Sequence, residues 1–336
     1  IVFHASVVDN KNNRNIAGAT FQMEQNQIPQ TLLAAKIQSL DDLTVKITDS
    51  IVNTYTKMPM KKRVNPNLYI SPKNFLDPSL KAVVPLSGRL AEKFTNTFSK
   101  TRHFKIMTSP GADTDLILTG EIHREDGALA FHVRLNQIQV EQRGLSIETI
   151  ATGDEVLKAS YCQNHWLDVS LSGKTDYLMQ RLEKKSMPFL SSGKPCEIVI
   201  NRFKYQNSKQ YSQFSDYLEG YMLDYFAASR FFTPVKNVEK RLSDIRTRGA
   251  RSIVPTKNTG ATVAALANAA YYVEGSFWPS ANGNVEIKAV LSSVKGQILA
   301  SEHVVVKKNQ VNSKWLETPV QKNFSENLAL LSDTDN

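Results

Sequence analysis

Leu90-Ala91-Glu92-Lys93-Phe94-Thr95-Asn96-Thr97-Phe98, with Phe104 behind it, and Leu218-Glu219-Gly220-Tyr221-Met222-Leu223-Asp224-Tyr225-Phe226, with Phe232 behind it, are the stretches that decide the fold. In each, apolar residues return every four positions, the spacing of one helix face. The second stretch repeats the first 128 positions on: Leu90, Phe94, Phe98 and Phe104 stand where Leu218, Met222, Phe226 and Phe232 stand.

Working outward, Gly120 in Leu118-Thr119-Gly120-Glu121 and Gly275 in Val273-Glu274-Gly275-Ser276 are 155 apart, as are Leu135 and Val290. The change of offset puts about 27 extra residues in the second copy, between Val235 and Ala270. They have room for two short helices, near 237–248 and 260–268. Each copy opens with a helix: Leu40, Leu43, Ile47, Ile51 and Tyr55 make one stripe, Leu178 and Leu182 the other. A strand, the repeated helix and further strands follow, near 68–70, 102–107, 116–121, 128–138 and 148–159, then near 197–203, 231–235, 270–277, 285–292 and 298–306. Turns are expected at Thr152-Gly153-Asp154 and Val294-Lys295-Gly296. The fold class is α+β, a tandem duplication of helix–strand units with antiparallel or mixed sheets. The divisions are a β-hairpin or truncated module over 1–34, a first α+β domain over 35–168, a second over 169–306 with a helical insert over 236–269, and a polar tail over 307–336. Leu328, Leu330 and Leu331 could dock that tail.

The 336 residues are 41% apolar, which is globular composition and excludes a disordered or collagen-like chain. No run approaches the ~20 apolar residues of a membrane-spanning helix. The chain starts at Ile1 and reads as a processed product. Lysine and arginine number 41 against 32 acids, a net +9 that fits nucleic acid, an anionic surface or a secreted protein of high pI. Two cysteines, Cys162 and Cys196, are too few for a disulfide scaffold and lack zinc spacing. They are two buried thiols or one disulfide. A bond would staple the start of unit two to the end of unit one, closing a loop worth roughly 3–4 kcal/mol in the chain-entropy picture.

Catalytic constellations are missing from the sequence pattern. Neither G-x-G-x-x-G nor a complete G-x-x-x-x-G-K-[ST] occurs; Gly173-Lys174-Thr175 matches only the tail of the second, with Asp168 where its first glycine belongs. There is no G-x-S-x-G, and Ser87 reads as the N-cap of the following helix. His123 and His132 stand on adjacent strands near Glu121 and Glu125, with no third ligand forced. Asp41-Asp42 and Glu125-Asp126 fit a helix first turn and a solvated loop. No catalytic, cofactor or metal residues are therefore assigned. Gly120 and Gly275 relieve crowding inside a strand.

Two surface features remain. A basic patch comprises Lys61, Lys62 and Arg63 with Lys240, Arg241, Arg246, Arg248 and Arg251, and Phe203, Tyr205 and Tyr211 lie near it in sequence, a pattern that single-strand binders share. Tyr217, Tyr221 and Tyr225 form a second row on the helix that carries Leu218, Met222 and Phe226. Tyrosine suits a contact that is part apolar and part wet, so the row is expected at a domain or subunit interface. The matched positions in the first copy, Arg89, Lys93 and Thr97, are polar.

Tyr271–Val306, with its strand ending in glycine, polar turn, second strand, glycine turn and last strand, resembles the end of domains in the FlgO, CsgG, LpoB and TolB amino-terminal families of periplasmic and outer-membrane assembly proteins. Residues 40–107 look like the front half of a FlgO-type domain. The resemblance implies a TolB-N-terminal-like fold and a non-enzymatic cell-envelope scaffold or adaptor in a secretion, motility or wall assembly. It would sit in the periplasm or on the outer membrane, and its partners would be envelope proteins, its own copies, peptidoglycan or an anionic membrane surface. The alternatives are a nucleic-acid-binding protein using the basic residues of the second domain, and a wall-polymer-binding protein or hydrolase.

Overall fold

The computed structural model describes residues 2–9, 14–22, 39–58, 65–107, 109–111, 113–125, 127–141, 144–190, 195–235 and 260–317. Strands β1 (Val2–Asp9) and β2 (Arg14–Gln22) pair antiparallel as a two-stranded hairpin. Two α+β units follow.

The first contains α1 (Leu40–Lys57), β3 (Asn67–Leu76), α2 (Pro85–Thr101), β4 (Lys105–Met107), β5 (Leu116–Glu125), β6 (Ala128–Glu141) and β7 (Gly144–Lys158). Its sheet runs β4-β3-β5-β6-β7, with parallel pairs at β3–β4 and β3–β5 and antiparallel pairs beyond. The second contains α3 (Leu171–Ser186), β8 (Cys196–Ile200), β9 (Lys204–Tyr205), α4 (Gln213–Ala227), β10 (Phe232–Pro234), α5 (Gly260–Leu266), β11 (Tyr271–Pro279), β12 (Val285–Ser293) and β13 (Ile298–Val306). Its order is β10-β8-β11-β12-β13, again parallel on the β8 side and antiparallel beyond, with β9 paired to β11. The mixed α+β class and the two similar units are as the sequence reads.

Their likeness reaches single side chains. Ser39 caps α1 by accepting the Asp42 N–H at 3.0 Å, and Ser170 caps α3 by accepting that of Gly173 at 3.0 Å. Behind them Leu40, Thr44, Ile47 and Ile51 recur as Leu171, Thr175, Leu178 and Leu182, all buried. In the second helices Ser87 and Ser215 accept the backbone N–H of Val84 and Ser212. Ser87 also donates to the Phe75 carbonyl at 2.7 Å, so it lies in the first turn of a helix that Pro85 opens and is not the N-cap.

The two central glycines share one cause. A Cβ on Gly120 would sit 2.5 Å from the Phe75 ring, and one on Gly275 2.0 Å from the Phe203 ring. Each phenylalanine crosses the neighbouring strand there, and only a missing side chain lets it lie flat. In unit one the pairing of β3 with β5 breaks register over Ser71-Pro72-Lys73-Asn74, just before Phe75, and in unit two Phe203 lies in the short break between Ile200 and Lys204.

Phe75, Phe94, Phe98, Phe131 and Leu118 form the first core, and Phe203, Phe214, Phe226, Phe232, Phe277 and Leu218 the second. Stacked and edge-on ring pairs knit both. Gly153 corrects the expected turn at 152–154. It is mid-strand in β7, opposite Val133, where a Cβ would lie 3.0 Å from the Ile47 carbonyl, so it lets α1 approach the sheet. The glycine turn at 296 is present, with a left-handed φ of 86°. The Cys162–Cys196 staple is not formed. Both are thiols, Cys162 packed into the first core and Cys196 opening β8 against the second, so each belongs to a different core.

The repeat continues beyond Val306. After unit one a 3₁₀ turn over Asn164–Leu167 puts Trp166 under the Arg89 guanidinium, 4.5 Å from the ring centroid. After unit two a matching turn over Ser313–Leu316 stacks Trp315 on Tyr217 at 5.2 Å. Arg89 and Tyr217 are equivalent positions of α2 and α4. The segment to Leu316 thus completes the second unit, with Val311 buried and the Gln310 side chain donating to the Val169 carbonyl. Of the insert, α5 packs on β11 and β8 through Ala264 and Tyr272. The expected helix near 237–248 lies outside the described residues, as do Lys61, Lys62, Arg63, Lys240, Arg241, Arg246, Arg248, Arg251, Leu328, Leu330 and Leu331.

Candidate functional site

The units are joined by α3. One side of this helix packs on β12 and β13 of its own sheet, as α1 packs on β7. Its other side meets the outer face of the first sheet, so that Leu76 and Leu145 of unit one belong to the second core. A helix held between two sheets must be apolar on more than one stripe. Accordingly α3 buries Tyr177 and Met179 as well as Leu178 and Leu182.

Its N-terminal turn is fixed by backbone contact. The Val83 N–H donates to the Gly173 carbonyl at 3.0 Å, and a Cβ on Gly173 would fall 2.1 Å from the Val83 carbonyl. The Lys174 ammonium donates to the Leu80 carbonyl, and burial pulls its pKa down. The phosphate-loop-like tail Gly173-Lys174-Thr175 is thus occupied by unit one: its glycine is a contact point and its lysine a tie.

The middle of α3 forms a polar seam with the irregular stretch of β3. Lys73 reaches from that stretch to Asp176 at 3.6 Å and lies 4.4 Å above the Tyr225 ring. The Gln180 side-chain amide donates to the Lys73 carbonyl at 3.0 Å. Burial raises the Asp176 carboxyl while Lys73 and the Tyr221 hydroxyl, which donates to it, pull it down. Glu183 accepts from the Tyr225 hydroxyl at 3.4 Å and from Ser229. Enclosure by protein lifts its pKa to about 7 against those two donors, and the same burial with the Glu183 charge pushes Tyr225 well up. Arg230 closes the far end by donating to the Thr114 carbonyl of unit one.

The tyrosine row therefore runs from the joint outward. Tyr225 is 6% exposed, under Lys73. Tyr221 is half-buried, tied to Asp176, and 5.9 Å from Tyr217. Tyr217 is half-buried between Phe214 and Trp315. Apart from the row, ahead of α4, Tyr211 is 37% exposed, with Lys204 at 5.6 Å and Arg202 at 4.7 Å from its ring, and Arg202 is paired with Asp216 and Glu219 of α4. Lys73, Asp176 and Trp315 were not singled out in the sequence; Tyr177 and Met179, apolar residues off the main α3 stripe, were the readable sign that this helix has a second buried face.

The other candidates resolve individually. Phe203 is fully buried against Gly275, Tyr205 is half-buried and packs on Phe277 at 4.5 Å, and Tyr211 is exposed beside Arg202 and Lys204. His123 and His132 lie edge to face at 5.1 Å, but each is paired to its own carboxylate: Glu121 at 3.3 Å and Asp154 at 2.8 Å. Among the described residues no three metal-ligating side chains converge, and no helix is long and apolar enough to cross a membrane.

No protein-family model matches the chain, and no curated relative matches it. Among solved structures, the LpoB C-terminal domain from Escherichia coli is 14% identical over 39% of this chain and 95% of its own, with a TM-score of 0.30. The same domain from Salmonella enterica gives 16%, 39% and 95%, with a TM-score of 0.28. The lipoprotein GNA1162 from Neisseria meningitidis is 14% identical over 42% of this chain and 98% of its own, with a TM-score of 0.24. Each likeness is weak and spans about two-fifths of the chain.

Proposed function

We propose that this chain is a non-enzymatic scaffold or adaptor of the cell envelope, working through protein–protein contacts in a secretion, motility or wall-synthesis assembly. The observation that carries the reading is the aromatic strip of unit two. Tyr217, Tyr221 and Trp315 lie along one side of α4, partly covered. Tyrosine, tryptophan and arginine dominate the energetics of protein interfaces, because each covers much area at small entropic cost and keeps a polar end for water or a partner. At the same place unit one presents Arg89, Lys93 and Thr97. The envelope location is supported by the sequence resemblance of residues 40–160 and 172–306 to periplasmic assembly proteins.

A photo-crosslinking residue placed at Tyr217 in cells tests the reading, with one at Glu92 on the first unit as the control. Discrete protein adducts from 217 alone are expected, and Tyr221→Lys should weaken them while leaving the purified protein folded, since a lysine there still faces Asp176. Equal adducts from both positions, or none, defeat the interface. Tight filter binding to single-stranded DNA with a steep salt dependence would replace the reading with the nucleic-acid one.

A further inference from the structure

We propose that helix α5 is an in-chain plug: on the second sheet it occupies the place that unit two occupies on the first, and when it is displaced that face accepts α1 of a second copy of this chain. Strand register gives the equivalence. Tyr69 of β3 stands opposite Ile117 of β5, and Val199 of β8 opposite Tyr272 of β11. Ile117 and Tyr272 each come three positions before the central glycine of their strand, Gly120 and Gly275. Side chains alternate across a strand, so both pairs lie on the outer face of their sheet, away from the core face to which those glycines belong.

Both pairs are covered, but by different things. In unit one the cover is unit two: Ile117 lies buried in the cleft under α3 with Phe231, and burial with the Glu183 charge pushes the Tyr69 pKa up. In unit two it is the insert: Val199 and Tyr272 pack with Ala264 and Ala267 and are 1% and 7% exposed. Unit one has no room for such a helix, since it passes from Met107 to Leu116 where unit two passes from Pro234 to Tyr271. The last unit of a stack needs a cap, because the face on which a next unit would lie is otherwise left in water.

What the plug excludes can be read from the two free surfaces. Helices α1 and α3 are equivalent from Leu40 and Leu171 on, so Val45 stands where α3 has Asp176, and Val52 where it has Glu183. In α3 those two residues face the joint with unit one. In α1 Val45 is 46% exposed and Val52 half-buried. On the sheets, Arg134 lies opposite Thr119, one position before Gly120, and its counterpart Val290 lies opposite Glu274, one before Gly275. Glu183 and Arg134 both border the cleft between α3 and the first sheet, whereas the free helix and the free sheet carry valine at both positions, with Val290 half-buried. Helix and sheet thus differ from the internal joint in the same sense, polar to apolar, which matches them to each other and not to water. Because the helix belongs to unit one and the face to unit two, the contact is head to tail and adds copy after copy.

Sedimentation velocity of the full chain over a wide range of concentration tests this, in a Tyr221→Lys background so that association through the aromatic strip is not counted. Ala264 is fully buried under α5, and Ala264→Arg should release the plug. The background protein is expected to keep one sedimentation coefficient, the Ala264→Arg variant to sediment faster as concentration rises, and added Val45→Asp to restore the constant value. A constant coefficient in Ala264→Arg, or growth that Val45→Asp leaves unchanged, overturns the proposal. Hydrogen exchange of the unsubstituted chain serves if Ala264→Arg does not fold. A plug must leave while the sheet stays, so the amides of α5 should exchange at least about tenfold faster than those of β11; equal protection overturns the proposal as well. The plugged face lies on the side of the second sheet away from α4, so this proposal and the aromatic strip stand or fall separately.

Discussion

Helices α2 and α4 hold the same place in the two units, yet their second rows are chemically opposite. In α2 the row is polar: Arg89 lies over Trp166, Lys93 pairs with Asp41 of α1, and Thr97 bonds Thr48 of α1 at 3.1 Å. In α4 it is aromatic, packed on Trp315 and on the seam that Lys73 of unit one enters. The same contrast divides the first helices. The side of α1 away from its sheet carries Asp41, Asp42, Asp49 and Asn53 in water, whereas the corresponding side of α3 is covered by the first sheet. A duplicated fold thus keeps its core stripe twice and changes the row beside it wherever a second surface must be covered.

If the cores are true equivalents, Phe94→Ala and Phe226→Ala should cost alike, about 3–5 kcal/mol each in urea unfolding, because both rings are fully buried and leave a large cavity. A cost in one unit less than half that in the other would break the comparison. Gly120→Ala and Gly275→Ala come next, at about 1–3 kcal/mol of overpacking, with Gly275→Ala the worse because its approach to Phe203 is closer. The reverse order would mean that Phe203 can swing aside.

The seam predicts a pH dependence centred on Glu183 of unit two. The Glu183 carboxyl is near 7 when folded and near 4.5 when unfolded, so between those values the folded state holds the extra proton. Stability must then fall as pH rises from about 4.5 through about 7, by an order of 1–3 kcal/mol, and Glu183→Gln should flatten that slope. Urea midpoints at pH 5 and pH 8 measure it; an unchanged slope in the variant would place the titrating group elsewhere. The smallest effects separate the two second rows. Tyr217→Ala should cost about 1 kcal/mol through the Trp315 stack. Arg89→Ala should cost about 0.5 kcal/mol, since its contact with Trp166 is made at the surface. Equal costs would mean that the aromatic row adds nothing to the folded chain.

Much of this was legible in the residues themselves. The helix stripes, the order of strands, the glycine pair at 120 and 275 and the changed offset between the copies are local patterns, and local periodicity follows directly from backbone geometry. The unusual row on α4 was visible for the same reason. Gly153 was misread because a glycine between Thr152 and Asp154 looks like a turn; its cause is Ile47, about a hundred positions away. The segment past Val306 reads as a polar tail because its contacts, Trp315 on Tyr217 and Gln310 on Val169 among them, are also distant in sequence.

What the sequence determined alone was the repeated unit: two helices with one apolar stripe each, a set of short strands, and two glycines where a phenylalanine must cross. What only the tertiary structure decided is how the copies meet. Lys73 is an ordinary surface lysine until the break in β3 carries it to Asp176 and Tyr225, and Arg134, Arg181 and Lys184 are scattered charges until a sheet and a helix set them around one cleft. Burial and charge proximity are properties of residues far apart in the chain, and no local pattern encodes them.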